Sequence, residues 1–215
     1  RPPGASRRAI ESGPDWFWHS GSGAVRQWRP GQEVRPVGRG DTLEHVFSFR
    51  DHHYIADRTA GSLARFNNNG TEPLEQLVES VPSQTITCTV PFDDHRLLAG
   101  TYGNGLKFFD GQQLLPFREH GLLAGNVRVN SLCQTEGGYF AAAIENIGIV
   151  FFDREGFTVQ VLDRSFDHRL AHVRRLVPAP GGLIWGLLSD GVLQVEFPSR
   201  VSHFEQLIGT GGATA

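Results

Sequence analysis

Residues 97–110 read LLAGTYGNGLKFFD, and this stretch is the clearest copy of a pattern that recurs along the chain. In each copy an apolar pair runs into a polar turn, a glycine follows, and another apolar run begins. The glycines of the five copies are Gly23, Gly61, Gly105, Gly148 and Gly191, at separations of 38, 44, 43 and 43 residues. Self-similarity at about 40 to 50 residues is typical of propellers and other repeat arrays. The period therefore indicates the architecture.

Each copy contains three short apolar runs and a weaker fourth run. In the fourth copy these runs are residues 129–133, 139–144, 148–152 and 157–162. Runs of this length that are rich in β-branched and aromatic residues and bounded by Gly, Asp or Pro are typical of strands. Pairs such as Asp110-Gly111 suit the tight turns between strands. Because four antiparallel strands repeated around an axis form a propeller, the sequence predicts an all-β β-propeller with about five visible four-stranded blades.

The 215 residues, 39% of them hydrophobic, are enough to bury one core. At most one helical turn is expected between residues 71 and 81, where Pro73 interrupts a short helical pattern. The chain contains no methionine, so it is either a mature form or a segment of a longer protein, and we favour the segment. The predicted division is a flexible N-terminal segment at 1–8, blades at about 9–40, 41–80, 84–122, 126–166 and 172–208, and a flexible tail at 209–215.

Bulk properties exclude several classes of function. A formal net charge of −3, with scattered arginines, lacks the basic patch of a nucleic-acid-binding protein. No apolar stretch approaches 18 residues, so no membrane contact is expected of this segment, and no signal peptide is seen. The pair Cys88 and Cys133 has neither a CxxC motif nor zinc-ligand spacing. These cysteines are predicted to be buried thiols that form no disulfide.

The sequence carries no strong catalytic motif. The glycines of residues 100–105 lack the GxGxxG spacing of a phosphate-binding loop. Asp and His recur in the turns at residues 51–53 and 93–95, but the other copies hold ordinary turn residues there, so a turn is favoured over a metal site. His168 and His172 are predicted to lie on the surface of an inter-blade connection. The predicted inner strands hold few acids, which argues against glycoside hydrolysis. We therefore predict no catalytic residue, no metal and no cofactor.

The sequence of residues 97–110 resembles the two-component regulator propeller repeat. Residues 181–196 (GGLIWGLLSDGVLQVE) resemble it more loosely. That repeat has a D-x-x-G turn, an apolar-Trp-x-Gly-Thr strand, and Gly-Leu before another apolar strand. The third to fifth copies match it, and the first two are degenerate, with Trp18 keeping the tryptophan position. The resemblance implies the periplasmic sensor part of a bacterial histidine kinase or regulator, with any kinase activity outside this chain. It also implies a seven-bladed ring, so the five visible copies are either a segment of a larger array or a ring that closes with five blades.

The function implied by the resemblance is non-catalytic sensing of a small molecule or glycan. One alternative is a propeller lyase resembling the streptogramin lyases, which use His and a metal near the channel, and another is a protein-interaction platform. An array cut within a ring exposes the apolar faces of its end blades, so self-association through those blades is also expected.

A ligand would bind at the end of the ring where turns of successive blades converge. The repeat varies in the turns between second and third strands, so these turns offer the candidate binding residues. Arg58, Tyr102 and Glu145 are the preferred ones, for hydrogen-bonding, stacking and charged contacts. The full set of candidates is His19, Asp57, Arg58, Tyr102, Asn104, Glu145, Asn146 and Asp190.

Overall fold

The structure is a computed structural model. It describes residues 8–198 except 14–15, 22–23, 29–30, 32, 34, 40–42, 58–60, 67–74, 79–81, 118–120 and 124. For strands β1 to β4 and for residues 43, 44, 66, 75–78 and 82 it describes the backbone only. The predicted tail at 209–215, and all but the last residue of the predicted N-terminal segment, lie outside the described residues.

The described residues form an all-β propeller fold, as the repeat predicts. Five antiparallel sheets follow one another along the chain, and we call them blades 1 to 5. Their strands are β1 (Arg8–Gly13), β2 (Trp16–Gly21), β3 (Ala24–Trp28) and β4 (Arg35–Arg39); β5 (Leu43–Phe49), β6 (His52–Asp57), β7 (Ser62–Phe66) and β8 (Glu75–Val78); β9 (Ile86–Pro91), β10 (Leu97–Thr101), β11 (Leu106–Phe109) and β12 (Leu114–Pro116); β13 (Val129–Gln134), β14 (Phe140–Ile144), β15 (Gly148–Phe152) and β16 (Thr158–Asp163); and β17 (Arg175–Ala179), β18 (Leu183–Leu187) and β19 (Val192–Glu196).

Helix is limited to three short 3₁₀ segments in the part of the chain that the structure describes. They are Pro82–Gln84, Gly121–Leu123 and His168–His172, and each lies in a connection between blades. The helical turn considered for residues 71–81 is wrong for its central part, because β8 occupies Glu75–Val78 and pairs with β7. The pairing of β8 with β7 repeats the strand pairing of the other blades, and it outweighs the weak helical pattern of this segment.

Blade 4 shows why a continuous apolar run forms a central strand. The five residues of β14, FAAAI, are all buried. Because side chains alternate across a strand, Phe140 and Ile144 pack toward blade 3, whereas Ala141 and Ala143 pack toward blade 5. A strand covered on both faces needs no polar alternation. The small alanines let the neighbouring sheet approach closely.

Successive blades contact one another through their first strands. The contacts run from β1 to β5, β9, β13 and β17, and apolar clusters fill the spaces between blades 2 and 3, 3 and 4, and 4 and 5. Among the described strands, β17 and β1 make no comparable contact. Five blades in this arrangement are consistent with part of a propeller ring, as the sequence predicts.

Side-chain hydrogen bonds also link neighbouring first strands, and each joins residues about one repeat apart. They are the bonds of His45 Nε2 with Thr89 Oγ1 (3.2 Å), of Thr87 Oγ1 to the Val129 carbonyl, and of the Leu176 N–H to Ser131 Oγ (3.0 Å). Burial, and then the charge of Arg175, lower the pKa of His45 to about 4. Its imidazole is therefore neutral at pH 7.

The prediction for the cysteines is confirmed. Cys88 lies on β9 and Cys133 on β13, and both are buried and form no disulfide. Burial raises the pKa of the Cys133 thiol to about 12. A thiol with so high a pKa stays protonated and is a poor nucleophile.

Candidate functional site

The turns between second and third strands are fixed by backbone hydrogen bonds to the connections on either side of their own blade. In blade 3, the Tyr102 N–H donates to the Thr85 carbonyl (2.9 Å) and the Gly105 N–H to the Val127 carbonyl (3.1 Å). Residue 85 directly precedes the first strand of blade 3, and residue 127 lies on the way to blade 4. The turn is thus held between two connections, so turns and connections meet at one end of the array.

The turn of blade 4 is held in the same way but has a tighter backbone. The Glu145 N–H donates to the Arg128 carbonyl (2.9 Å), and the Asn146 N–H donates to the Ala171 carbonyl (2.8 Å). Asn146 itself adopts φ +63°, in the left-handed region that asparagine tolerates better than most residues. The left-handed backbone conformation therefore accounts for an asparagine at this position.

Five polar or aromatic side chains from blades 3 and 4 and from the connections after these blades meet at this end, and we call them the Glu145 cluster. Glu145 Oε2 accepts a hydrogen bond from Asn130 Nδ2 (2.5 Å), and Glu145 Oε1 lies 3.1 Å from His172 Nδ1. Asn130 also donates to the Val173 carbonyl (3.1 Å). The Arg128 guanidinium lies over the Tyr102 ring, 4.5 Å from its centroid. The members of the cluster are Tyr102, Arg128, Asn130, Glu145 and His172.

The cluster favours an ionised Glu145. Partial burial raises the pKa of its carboxyl, but the hydrogen bonds from Asn130 and His172, and then the charges of His172 and Arg128, outweigh burial and leave the pKa below its ordinary value. The carboxylate is therefore negative at pH 7. It also fixes the orientation of the His172 imidazole, whose side chain is exposed.

Chemically, the Glu145 cluster is suited to holding a polar small molecule. It combines a carboxylate that accepts, an amide and a guanidinium that donate, and an imidazole that can do either. Tyr102 adds an aromatic ring that is only partly buried. Since these groups come from blades 3 and 4 and from the connections after them, a ligand bound across them would contact all four segments at once.

The structure brings two of the predicted site residues into this cluster. Tyr102 and Glu145 belong to adjacent blades and are joined through Arg128, which stacks on the first and attracts the second. Asn104 lies in the same turn as Tyr102, where its backbone N–H donates to Thr101 Oγ1 (2.9 Å). Asn146 is exposed beside Glu145.

The other predicted site residues do not join the cluster as described. Asp190 lies exposed in the blade 5 turn, and its charge acts on Arg169. Asp57 ends β6 in blade 2. His19 lies within β2, paired with Ala9 and with a residue of β3, and not in the turn where the sequence places it; its side chain is not described. Arg58 lies outside the described residues.

Three members of the cluster are missed by sequence reasoning, namely Arg128, Asn130 and His172. The turns draw attention because the repeat varies there, whereas these three residues lie in or just after the inter-blade connections. His172 is considered only as a surface partner of His168. The 3₁₀ helix separates the two, because His168 is almost fully exposed next to Asp167 whereas His172 contacts Glu145. The available signal is the repeat itself, since Asn130 and its acceptor Val173 stand 43 residues apart.

The two Asp- and His-containing turns lie next to each other but are turn structures. Arg50 Nη2 reaches the His95 carbonyl at 3.5 Å, and the His95 N–H donates to Asp93 Oδ1 (2.9 Å). Asp93 pairs with Arg96 at 2.7 Å. Within the described residues, no three His, Cys, Asp or Glu side chains are grouped in a way that could hold a metal ion.

No helix in the described part of the chain is long and apolar enough to cross a membrane.

Two searches with the sequence, one against models of protein families and one against curated proteins, find no match. The propeller is therefore compared through its structure.

Several solved structures are similar to this chain. The extracellular domain of the putative hybrid two-component system BT4673 from B. thetaiotaomicron gives a TM-score of 0.67 at 14% identity, over 87% of this chain and 27% of that one. A second structure of a BT4673 extracellular domain, described as a putative one-component system, gives 0.67 at 13% identity, over 90% and 28%. The WD40 β-propeller domain of Doa1 gives 0.65 at 14% identity, over 93% and 68%.

These similarities confirm the propeller fold and agree with the family that the sequence resembles. Sequence identities near 14% are evidence for a shared fold and for nothing more specific. The chain spans about a quarter of the length of the BT4673 domains that it matches.

Proposed function

We propose that this chain is a non-catalytic, ligand-sensing propeller segment of a bacterial two-component-type signalling protein, which binds its ligand at the Glu145 cluster. The single observation that carries the proposal is the convergence of polar side chains from blades 3 and 4 and from the connections after them at one end of the propeller. Scaffold positions of a repeat protein hold similar residues from copy to copy. The contact of Glu145 with His172 occupies nearly the same repeat positions as the contact of Tyr102 with Arg128 one copy earlier, but the residue types differ, as expected of a site built on a repeated scaffold.

Two supports come from outside the cluster. Two of the similar structures are extracellular domains of two-component or one-component system proteins, which agrees with an extracytoplasmic, periplasmic location for this chain. The turns that carry Tyr102 and Glu145 are anchored by backbone hydrogen bonds on both sides. Such anchoring holds a site in place before the ligand arrives, which lowers the cost of binding.

The ligand that suits this cluster is a hydroxyl-rich small molecule such as a glycan. Sugar hydroxyls both donate and accept hydrogen bonds, so the Glu145 carboxylate and the Asn130 amide can bind them directly. The apolar face of a sugar ring packs on aromatic side chains such as Tyr102. This ligand class involves no covalent step and needs no cofactor.

The test is a thermal-shift and calorimetric screen of the chain against short oligosaccharides. We expect one oligosaccharide to raise the Tm, and Glu145→Gln and Tyr102→Ala to weaken its binding by at least about tenfold. Glu196→Gln, an exposed carboxylate on β19 outside the cluster, is the matched control and should bind like the wild type. If Glu196→Gln loses binding as strongly as Glu145→Gln, or if neither cluster variant loses it, the assignment of the site is wrong.

The lyase alternative is not favoured. None of the three similar structures is described as a lyase. In the Glu145 cluster, His172 pairs with the Glu145 carboxylate and not with a second histidine. A test of the proposal against this alternative is to add Mg²⁺ during the same screen. A Tm increase with Mg²⁺ alone, lost in His172→Gln, would favour the lyase.

A further inference from the structure

The hydrogen bonds that the Glu145 cluster already makes determine what it can still offer to a ligand. Asn130 has two N–H groups on Nδ2, of which one donates to Glu145 Oε2 (2.5 Å) and the other to the Val173 carbonyl (3.1 Å). Both partners can only accept, so the orientation of the amide is determined and both of its donors are in use. The group that Asn130 keeps for a ligand is its side-chain carbonyl Oδ1, which accepts.

The charge of Glu145 determines which nitrogen of His172 carries the proton. An ionised carboxylate can only accept, so at the 3.1 Å contact with Glu145 Oε1 it is His172 Nδ1 that donates. In a neutral imidazole the other ring nitrogen, Nε2, is then an acceptor. Each carboxylate oxygen receives one of these two bonds and has a further lone pair, and the Glu145 side chain is 33% exposed. The carboxylate oxygens and Nε2 can therefore all accept from a ligand.

We call Asn130, Glu145 and His172 the acceptor side of the cluster, because the positions that they keep for a ligand all accept. The turn beside them adds no donor among its described N–H groups at Glu145 and Asn146, which both donate to carbonyls of the inter-blade connections (2.9 and 2.8 Å). The guanidinium of Arg128, which can donate, lies over an aromatic ring of blade 3. Donors and acceptors are thus separated within the cluster.

A β-bulge places Asn130 where it reaches Glu145. The register of β13 and β14 shifts at Asn130, which is the extra residue of the bulge, and a bulge re-aims a side chain. In blade 3 the extra residue is Thr87, which donates to the Val129 carbonyl of the next blade. A threonine hydroxyl has one hydrogen to donate, so it serves the bond between blades alone. The second N–H of the asparagine holds Glu145, which is more than the scaffold requires.

We infer that the acceptor side of the Glu145 cluster binds an ammonium group, and that the ligand it selects is an amino sugar. The inference rests on the proposed function, because it specifies the ligand of the same site. An ammonium offers three hydrogens, accepts none and carries a charge opposite to that of Glu145. A hydroxyl has one hydrogen and no charge. A ligand carboxylate or phosphate has no hydrogen to donate to these acceptors.

The rest of an amino sugar suits the other half of the cluster. The Arg128 guanidinium can donate to ring hydroxyls, and the Tyr102 ring offers an aromatic surface. The positive charge of Arg128 attracts Glu145 but repels an ammonium. The amino group is therefore expected on the His172 side of the carboxylate, with the hydroxyls toward Arg128.

The experiment compares, by calorimetry at pH 7, sugars that differ in one ring substituent. The probes are the glucosamine dimer, cellobiose and diacetylchitobiose, which carry an amino group, a hydroxyl and an acetamide at the same position. Galactosamine with galactose, and mannosamine with mannose, extend the comparison. We expect the amino form of at least one series to bind at least about tenfold more tightly than its neutral forms. Glu145→Gln should abolish this preference, whereas the exposed control Glu196→Gln should keep it.

Asn130→Thr separates the bond to Glu145 from the bond between blades. It places in blade 4 the residue that blade 3 has at its bulge, so one donor remains for the Val173 carbonyl and none for Glu145. The variant should fold, with a Tm within about 2 °C of the wild type. Its preference for the amino form should nevertheless fall at least about fivefold. A lower Tm with an unchanged preference would make Asn130 a scaffold residue and overturn the assignment of the acceptor side.

The proton on His172 can be located without any ligand. Nitrogen NMR at pH 8, above the ordinary pKa of histidine, should show the proton on Nδ1, and His172→Gln identifies the signal by its absence. A proton on Nε2 would overturn the inference, because His172 would then offer a donor to the ligand.

The binding results separate a failure of this inference from a failure of the proposed function. Neutral sugars that bind as tightly as their amino forms, and lose affinity in Glu145→Gln, would overturn the inference and leave the proposed function in place. A preference for amino sugars that Glu145→Gln retains would show that the amino group binds elsewhere. Absence of binding by every sugar, amino or neutral, would overturn both.

Discussion

The first strands of the blades and the turns between second and third strands repeat with the same period, yet their polar side chains differ in what they contact. On the first strands, residues such as Thr87 and Ser131 bond to the first strand of the next blade. In the turns, Tyr102 contacts Arg128 and Glu145 contacts His172, so matching positions of successive copies are held by unlike residues. A polar residue bonded between first strands holds the array together, and a turn contact whose residue types change from copy to copy is a candidate for function.

Asn130 belongs to both regions. Its amide lies on the first strand of blade 4, where it donates to the Val173 carbonyl in blade 5, and it also donates to Glu145. The predictions below test whether the first strands and the turns can be perturbed separately.

Gly148→Ala should cause the largest loss of stability. A Cβ at residue 148 would stand 2.1 Å from the Leu162 carbonyl oxygen, and its φ of +140° is closed to other residues. We expect the free energy of unfolding to fall by about 4 kcal/mol, because the clash is with backbone that cannot move without breaking β15–β16 pairing. Urea unfolding followed by circular dichroism measures it.

The control is Gly105→Ala in the turn of blade 3, at the matching repeat position. Its φ of +61° lies in the left-handed region, for which a cost of about 1 kcal/mol is ordinary. Equal losses at the two glycines would contradict the view that the turn of blade 4 is the tighter one.

Gly100→Ala tests the first strands. A Cβ there would lie 2.6 Å from Cys88 Sγ and 2.7 Å from Val129 Cγ1. Overpacking should lower the free energy of unfolding by about 2 kcal/mol. Adding Cys88→Ala to the same chain should restore part of the loss, and failure of this rescue would show that the close contact with β9 is not the cause.

His45 should make stability depend on pH between about 6.5 and 4. The pKa of the folded imidazole is lowered from 6.5 to about 4 by burial and by Arg175. Since the unfolded chain binds a proton first, full stability is present above pH 6.5 and is lost as pH falls toward 4. We expect a loss of about 1.5 kcal/mol, roughly half the full linkage value because the ring is partly exposed.

His45→Gln is the comparison for that measurement, because glutamine can keep a hydrogen bond to Thr89 without titrating. Unfolding is measured in urea at pH 7 and pH 4.5 for both proteins. A wild type that loses no more stability than His45→Gln over this range would show that His45 is not the titrating group.

Glu145→Gln should have the smallest effect on stability. The pKa of Glu145 is lowered in the folded state, so its carboxylate stabilises the fold above its ordinary pKa, and that contribution is lost as pH falls through the lowered value. The side chain is a third exposed, so the free energy of unfolding at pH 7 should fall by only about 0.5 kcal/mol. The difference from wild type should disappear in acid.

A much larger loss of stability in Glu145→Gln would indicate that Glu145 is a structural residue and not a binding residue. A loss of about 3 kcal/mol or more, which is what breaking a buried charged pair costs, would show that the cluster holds blades 4 and 5 together. Ligand affinity, measured on the same variant, then distinguishes the two roles.

Much of the fold could be predicted because its signals are local and repeated. Glycine turns, apolar runs such as FAAAI of β14 and the constant period each follow from short stretches, and copies support one another. The placement of His19 fails for the same reason, since the first copy is degenerate and the strand continues past the expected turn.

The candidate site could be predicted only in part. Tyr102 and Glu145 stand out as departures from the repeat within turns. Arg128 and His172 do not, because they come into place through the packing of connections from adjacent blades, and His172 depends on a five-residue 3₁₀ helix capped by Asp167. Contacts between segments about one repeat apart are set by tertiary structure and leave no mark in the local pattern.

The bonds between first strands have an evolutionary consequence. Each joins residues 42 to 45 positions apart, close to the length of one copy. Duplicating or deleting a whole copy therefore preserves the spacing that these bonds need between neighbouring first strands. A change of a few residues within a copy has no such tolerance, because it displaces one side of the bond and not the other.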